Sequence, residues 1–327
     1  MKKRLFQLLL LCVVFAVLGR VSTVSAQTSD SLTLATYTYS TNTRLQHLAP
    51  LAAHLSQKLG VPLRVKSFPD PPSLARGIES GEVDIAVMNT FGYLLLDANR
   101  TQSKHTGIPI ATFRIPKGQS SNYRTIIVAR SAILSNNIKF ENTKSMEAMK
   151  WKEIREKASG LRMVFVSPGS TTGNLVPRLY LASRGLTNAE KQFQSVVYAG
   201  THAEALKMLV DGKADIVALA TEEYDKFLAK SPDSALIFEP LWLSNDIKLG
   251  PIVVRSTLPK HIREEISKRI IGAERTAPEA FTAVRDGWTE AKKADAWVNI
   301  TNRFYDDVRA MFGDKRVAAE LIEKFAK

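Results

Sequence analysis

A single cysteine, Cys12, stands among the 327 residues. It falls within an N-terminal segment that reads below as removable, so the rest of the chain has no thiol, no disulfide and no cysteine-based metal site. Stability must then come from an ordinary apolar core, which about 300 residues can build, usually as two lobes or domains. Beyond that segment no apolar run reaches the roughly 20 residues that span a bilayer. The formal net charge is +13, yet nowhere do five basic residues adjoin, and no recognition-module pattern is present, so nucleic acid is a poor partner. No Gly-x-Ser-x-Gly elbow occurs and no histidine–carboxylate pairing is legible, which argues against a serine hydrolase. His47 and His54 lie seven apart on one helical face, but no cysteine or carboxylate completes a metal set, and His105 and His261 are isolated. No metal or cofactor is expected.

What is there begins with Lys2, Lys3 and Arg4, an apolar stretch from Leu5 to Leu18, and the small-residue pattern Val24-Ser25-Ala26. These are the zones of a secretory signal peptide, residues 1–26, cleaved before Gln27. A retained anchor fits less well because the apolar run is short. Leu11 precedes Cys12 where a lipoprotein signal would want a small residue. Four of the basic residues (Lys2, Lys3, Arg4 and Arg20) belong to this segment, so the mature chain keeps +9 of the +13. Such a surplus on an exported protein attracts anions.

Strand and helix patterns then alternate. "LTLATYTY" (Leu32–Tyr39) and "PLRVKSF" read as strands, "LQHLAPLAAHLSQKLG" and "PSLARGIESG" as helices closed by glycine, and "VDIAVMN" as a third strand. This order implies an α/β lobe with mostly parallel strands. The segment Lys144–Lys157 is charged on most faces and reads as a solvated helix; Trp242, Trp288 and Trp297 read as packing residues. The second half echoes the first: Ser73–Tyr93 can be laid on Glu204–Tyr224 at a constant offset of 131 residues, matching Gly81 with Gly212, Asp84 with Asp215 and Tyr93 with Tyr224. Two similar α/β lobes in one chain would face each other across a cleft, since ligands of open α/β sheets bind beyond the carboxyl ends of the strands. The first lobe would add groups near Thr90 and Tyr93, at the end of "VDIAVMN".

In "VFVSPGSTTGNLVPRLYLASRG" (Val164–Gly185) a strand-like run gives way to a helix at three consecutive hydroxyls, Ser170, Thr171 and Thr172. A helix N-terminus leaves backbone N–H groups without partners and carries partial positive charge. Hydroxyls there can add donors and form a socket for a tetrahedral oxyanion, with Gly173 allowing close backbone approach. The plainer possibility is that Ser170 or Thr171 only caps the helix. "GSTTGN" is not a nucleotide P-loop, because no lysine follows its second glycine.

"SPGSTTGNLVP" resembles the Ser-Thr-Ser-Gly signature, with its downstream proline, of the phosphonate and phosphite binding proteins that serve ABC importers. The resemblance continues through "LAPLAAHLSQKLGVPL", "GEVDIAVMNTFGYL", "SNYRTIIVARSA", "AGTHAEALKMLVDGKADIVA", "LGPIVVRSTLP" and "FYDDVRAMF", nearly the whole mature chain. It implies a type II periplasmic binding fold with two crossover strands, "RTIIVAR" and "PIVVRS", and hinge closure on the ligand. Lobe 1 would be 27–127 and 251–327, and lobe 2 would be 128–250. It also implies a monomeric, periplasmic, non-enzymatic protein that hands its ligand to an inner-membrane ABC permease. By the same resemblance Ser170, Thr171 and Thr172 grip the anion's oxygens, Tyr123 donates its phenol, and His202 contributes an imidazole. For Tyr123 a hinge tyrosine, and for His202 a simple cap, are the plainer readings.

Two departures bear on the ligand. Relatives that bind aminoalkyl phosphonates carry a tyrosine where "FPDPP" has Pro71, and pair a glutamate with an aspartate against the ligand's ammonium. Glu222 matches the glutamate, but Gly250 stands in the aspartate's place; Asp246 could substitute from the same loop, and Glu222 could equally be a solvated helix residue. Two other classes stand beside this one: a receptor of the same fold reporting to a membrane sensor kinase, which shares every residue named here, and an exported phosphate-ester hydrolase, which would need turnover. Processing is testable directly. Mass spectrometry of the periplasmic protein should find a mature chain beginning at Gln27, and an intact Met1 on soluble protein would refute it.

Overall fold

A computed structural model describes residues 31–38, 44–135 and 143–310, with Glu320, Ile322 and Lys324. The expected signal peptide, Cys12 included, lies outside the described residues, as does Tyr39 of the first expected strand. From Leu32 onward the chain forms one compact unit. Its described strands are, in chain order, β1 (Leu32–Tyr37), β2 (Leu63–Phe68), β3 (Ile85–Val87), β4 (Gly107–Arg114), β5 (Thr125–Arg130), β6 (Arg162–Phe165), β7 (Ser195–Tyr198), β8 (Ile216–Ala220), β9 (Phe238–Leu243), β10 (Pro251–Arg255) and β11 (Ala296–Asn299). They make two sheets, ordered β11-β4-β10-β3-β1-β2 and β7-β6-β8-β5-β9.

Each sheet is the centre of one lobe. Only the βαβ parts are parallel: β1 with β2 and β3, and β6 with β7 and β8. The strands that carry the chain between lobes, together with their neighbours, run antiparallel. The expectation of mostly parallel sheets is therefore corrected to mixed ones, because β5 and β10, each arriving from the other lobe, run antiparallel to both of their neighbours. β5 lies wholly in the second sheet, so a boundary between residues 127 and 128 would cut a strand; the chain passes between sheets at 115–124 and at 244–250.

Local sequence explains the elements that frame the cleft. The helix Arg44–Leu59 buries Leu48, Leu51, Ala52 and Leu55 at helical spacing, and Gly60, with φ +70°, ends it. The helix Pro71–Glu79 is capped by Asp70, whose carboxylate accepts from Ser73 N–H at 2.7 Å. The charged helix Thr143–Lys157 is not solvated all round, since Trp151 and Ile154 are each 1% exposed and pack into the second lobe's core.

The 131-residue echo is a structural repeat with a physical job. Asp84 accepts from Thr33 N–H at 2.8 Å and from Arg255 at 2.5 Å; Asp215 accepts from Arg162 N–H at 2.8 Å and from the same arginine's guanidinium at 2.7 Å. Each aspartate thus locks its strand to the neighbouring parallel strand. Two further equivalents, Thr90 and Thr221, each open a helix and donate a hydroxyl to a crossover carbonyl: Thr90 to Lys248 O at 2.6 Å, and Thr221 to Arg124 O at 3.1 Å. The repeat fastens both crossovers.

Gly250 is held more tightly still. A Cβ there would lie 2.0 Å from the Met88 carbonyl oxygen and 2.6 Å from Asn89 Cα. Its carbonyl and that of Leu249 accept from Thr112, and Leu249 O also accepts from Tyr305. Gly250→Ala should therefore destabilise the protein by at least about 1–3 kcal/mol, as overpacking against a rigid neighbour does. Gly160→Ala, with nothing within 4 Å of its Cβ, is the control. Equal denaturant midpoints for the two variants would contradict this packing.

Candidate functional site

Between the lobes lies a cleft of about 470 Å³. The second lobe contributes Ser170, Thr171, Thr172, His202 and Glu222; the first contributes Tyr37, Arg44, Asp70, Asn89 and Glu290; and Tyr123 arrives from the first crossover. Six of the residues expected from sequence therefore meet in one place.

The three hydroxyls sit where the chain leaves β6 and enters a helix by a wide first turn, Leu175 N–H reaching back to Ser170 O at 3.0 Å. Such π-turns recur at functional sites. Ser170 caps this turn, its Oγ accepting from Gly173 N–H at 3.0 Å, so cap and socket are one arrangement: a hydroxyl that accepts there still has its own proton to donate. Thr171 Oγ1 accepts from Phe91 N–H of the first lobe at 3.1 Å and is hydrogen-bonded to the Tyr123 phenol. Thr172 Oγ1 lies 3.5 Å from His202 Nε2. Gly173 is close to Val166, where a Cβ would lie 2.3 Å from Cγ2. Packing against Val166 alone therefore requires glycine there.

His202 does not cap its helix. Thr201 does, accepting from Glu204 N–H at 3.1 Å. The Ala220 N–H donates to His202 Nδ1 at 3.0 Å, so that nitrogen carries a lone pair and the neutral ring's proton is on Nε2. Burial lowers the imidazole's pKa to about 4, which makes His202 a neutral N–H donor at physiological pH. Tyr123 is half-buried, and its pKa is raised well above the usual phenol range by burial, with the nearby Glu290 charge adding to the rise. It too is a neutral donor.

Thr90 and Tyr93 do not belong to this site. Thr90 is fully buried and committed to Lys248 O. The Tyr93 hydroxyl donates to Asn302 at 2.6 Å, and its ring packs 4.9 Å from that of Tyr305 inside the first lobe. Both side chains turn away because the helix they open packs its apolar face inward. Gly250 does not line the cleft, and Asp246 is occupied by Ser120 at 2.6 Å and by Arg124 at 3.6 Å, outside it. Glu222 does line the cleft, paired with Lys226 at 2.8 Å. Pro71 stands at the cleft's edge and packs on Gly169, where a Cβ would meet its Cδ at 2.6 Å.

Sequence reading missed Arg44, Asn89 and Glu290. Asn89 joins the lobes, accepting from Gly92 N–H at 2.8 Å while donating to Gly169 O at 2.9 Å. Arg44 had one visible signal: a lone cation in a helix's first turn, where the helix dipole disfavours it.

A family model described as the periplasmic substrate-binding protein of phosphonate ABC transporters matches residues 34–298. The phosphate-import protein PhnD of Mycolicibacterium smegmatis is 22% identical over 221 residues; the match covers 63% of this chain and 62% of that protein, less than two thirds of its length. Among solved structures, PhnD1 of Prochlorococcus marinus in complex with methylphosphonate is similar at a TM-score of 0.61 and 16% identity, covering 86% of this chain and 97% of that one. XAC2383 from Xanthomonas citri bound to chloride is similar at 0.64 and 14%, covering 91% and 99%. At such identities the structural likeness establishes the fold, that of two-lobed periplasmic binding proteins.

The lowered pKa of His202 has a consequence for stability. Between pH 6.5 and about 4 the unfolded chain binds a proton at this residue that the native state refuses, so acidification favours unfolding. Above pH 6.5 the ring is neutral in both states and contributes nothing. The loss should reach roughly 1–3 kcal/mol at the acid end. His202→Gln should flatten the stability difference across that window; a variant with the wild-type pH slope would show that the imidazole titrates normally.

Proposed function

Because the chain belongs to the family of periplasmic substrate-binding proteins of phosphonate ABC transporters, we propose that it captures a phosphonate- or phosphate-like oxyanion in the cleft and delivers it to an inner-membrane permease. The observation that carries this reading is the convergence of neutral donors on one cleft. The Ser170, Thr171 and Thr172 hydroxyls, the Tyr123 phenol and the His202 Nε2–H come from three parts of the chain, and Thr171 and Tyr123, bonded to each other, have one proton between them to donate. Neutral, fixed donors suit a tetrahedral anion, since each hydrogen bond to a charged group contributes about 1.5–3 kcal/mol. Nothing in this set is arranged for turnover: no base is placed to activate a nucleophile, and His202 is committed through Nδ1 to a backbone N–H. The reading is of a carrier, in keeping with a family of substrate-binding proteins.

The Mycolicibacterium relative is described as importing phosphate and the Prochlorococcus structure holds methylphosphonate; both are tetrahedral oxyanions of the kind the donors here suit. The cleft, at about 470 Å³, has room for an organic substituent as well as the anionic head. Closure of the lobes would bury the anion, strengthening every donor by excluding water. The mature chain works in the periplasm, in keeping with its family.

Calorimetry with methylphosphonate, phosphate and phosphite tests the reading. The wild type should bind at least one of them. Ser170→Ala with Thr171→Ala should weaken that ligand by more than about a hundredfold, from two hydrogen bonds to a charged group, while circular dichroism shows the fold retained. Wild-type affinity in the double variant, or no binding of any of the three by the native protein, would overturn it.

A further inference from the structure

The positive surplus of the chain is not in the cleft. Among the described residues lining it, Arg44 and Lys226 face four carboxylates, Asp70, Glu222, Glu223 and Glu290, and Lys226 is paired with Glu222 at 2.8 Å. An oxyanion entering such a cleft meets net negative charge, and the repulsion grows with the charge on the ligand. Neutral hydroxyl, phenol and imidazole donors do not reverse that trend.

Arg44 is placed to do so. It is 5% exposed, and its guanidinium carbon lies 4.5 Å from the Tyr37 ring centre and 4.7 Å from that of Trp288. Its Nε donates to Gly287 O at 3.2 Å. Two aromatic faces and one carbonyl therefore fix the plane of a group with five N–H donors, which can serve several partners at once. The side chain lines the cleft from the first lobe. Its charge opposes the rise that burial imposes on the Tyr37 phenol and, more weakly than Glu290 acts in the other direction, on that of Tyr123.

We propose that Arg44 is the specificity-determining residue of the cleft, selecting doubly charged oxyanions of the phosphonate type over singly charged tetrahedral ones such as sulfonates. This rests on the oxyanion-binding reading above and deepens it. The socket recognises tetrahedral oxygens of either kind; the first-lobe guanidinium reads the second charge, and it does so from the lobe that lacks the hydroxyls, so a dianion ties the two walls together.

Methylphosphonate and methanesulfonate have the same shape and differ in charge, and the first loses its second proton near neutral pH, so affinities at about pH 5.5 and about pH 8.5 bracket that ionisation. In the wild type, methylphosphonate should bind more tightly at the higher pH while methanesulfonate stays level. In Arg44→Gln the preference for methylphosphonate over methanesulfonate at the higher pH should shrink by roughly ten- to a hundredfold, the factor carried by a hydrogen bond between charged groups. Arg44→Lys, which keeps the charge, should retain part of it. An equal loss for both ligands at both pH values would assign Arg44 to aromatic packing alone and overturn the proposal, as would an unchanged preference. Should Arg44→Gln not fold, a wild-type affinity for methylphosphonate that ignores pH overturns it as well. Failure of the wild type to bind either ligand, phosphate or phosphite is a different result, for it removes the oxyanion reading itself.

Discussion

Thr171 holds three parts of the molecule together through one hydroxyl. It accepts the Phe91 N–H at the start of a first-lobe helix, it meets the Tyr123 phenol from the first crossover, and it stands in the turn that opens the second-lobe helix. Asn89 repeats the connection by donating to Gly169 O, and Pro71 packs against the same glycine. Thr171 is 1% exposed and Asn89 6%. Sliding the lobes here would strand polar groups out of water at about 1–3 kcal/mol each. The donors of the cleft are consequently fixed in place before any ligand arrives, and less of the binding free energy is lost in ordering them.

Behind this contact stands a framework built twice. Asp84 and Asp215 lock equivalent strands, and Thr90 and Thr221 each tie a helix start to the crossover carbonyl beside it. The two halves then diverge at the strand ends that face the cleft. The second lobe spends its β6 exit on Ser170, Thr171 and Thr172, whereas the first lobe's β3 exit becomes the Asn89 cap and a buried helix. Equivalence of scaffold with asymmetry of function explains why Tyr93, aligned with Tyr224 in sequence, is a core residue: both are buried at 3% or less. The matching glycines, Gly81 and Gly212, share a positive φ of 83° and 70°, and so mark chain reversals and not sites.

Charge is distributed against simple expectation. The chain is strongly basic, yet the described lining of its cleft is acidic. Long-range attraction by the whole surface can bring an anion near the protein, but it cannot hold it in a site lined with carboxylates. Holding it falls to close hydrogen bonds and to a guanidinium clamped between Tyr37 and Trp288.

By itself the sequence determined the alternation of strands and helices, the 131-residue echo and the hydroxyl run at a strand-to-helix junction, because each is a local pattern set by side-chain period, glycine stops and capping chemistry. Ser170, Thr171 and Thr172 were legible as candidates for the same reason, whereas Tyr123 and His202 were candidates only through the family resemblance. Tertiary structure decided what no local pattern holds. The antiparallel half of each sheet depends on where β5 and β10 re-enter, and the exclusion of Gly250 depends on the Met88 carbonyl 2.0 Å from a would-be Cβ. The Nε2–H tautomer of His202 depends on Ala220, 18 residues away in the chain. Arg44 stands just before the helical pattern that begins at Leu45. Only folding brings Trp288 and Gly287 against it, Gly287 from 243 residues away, since the partners that fix a side chain's charge and direction are chosen by packing across the chain and not along it.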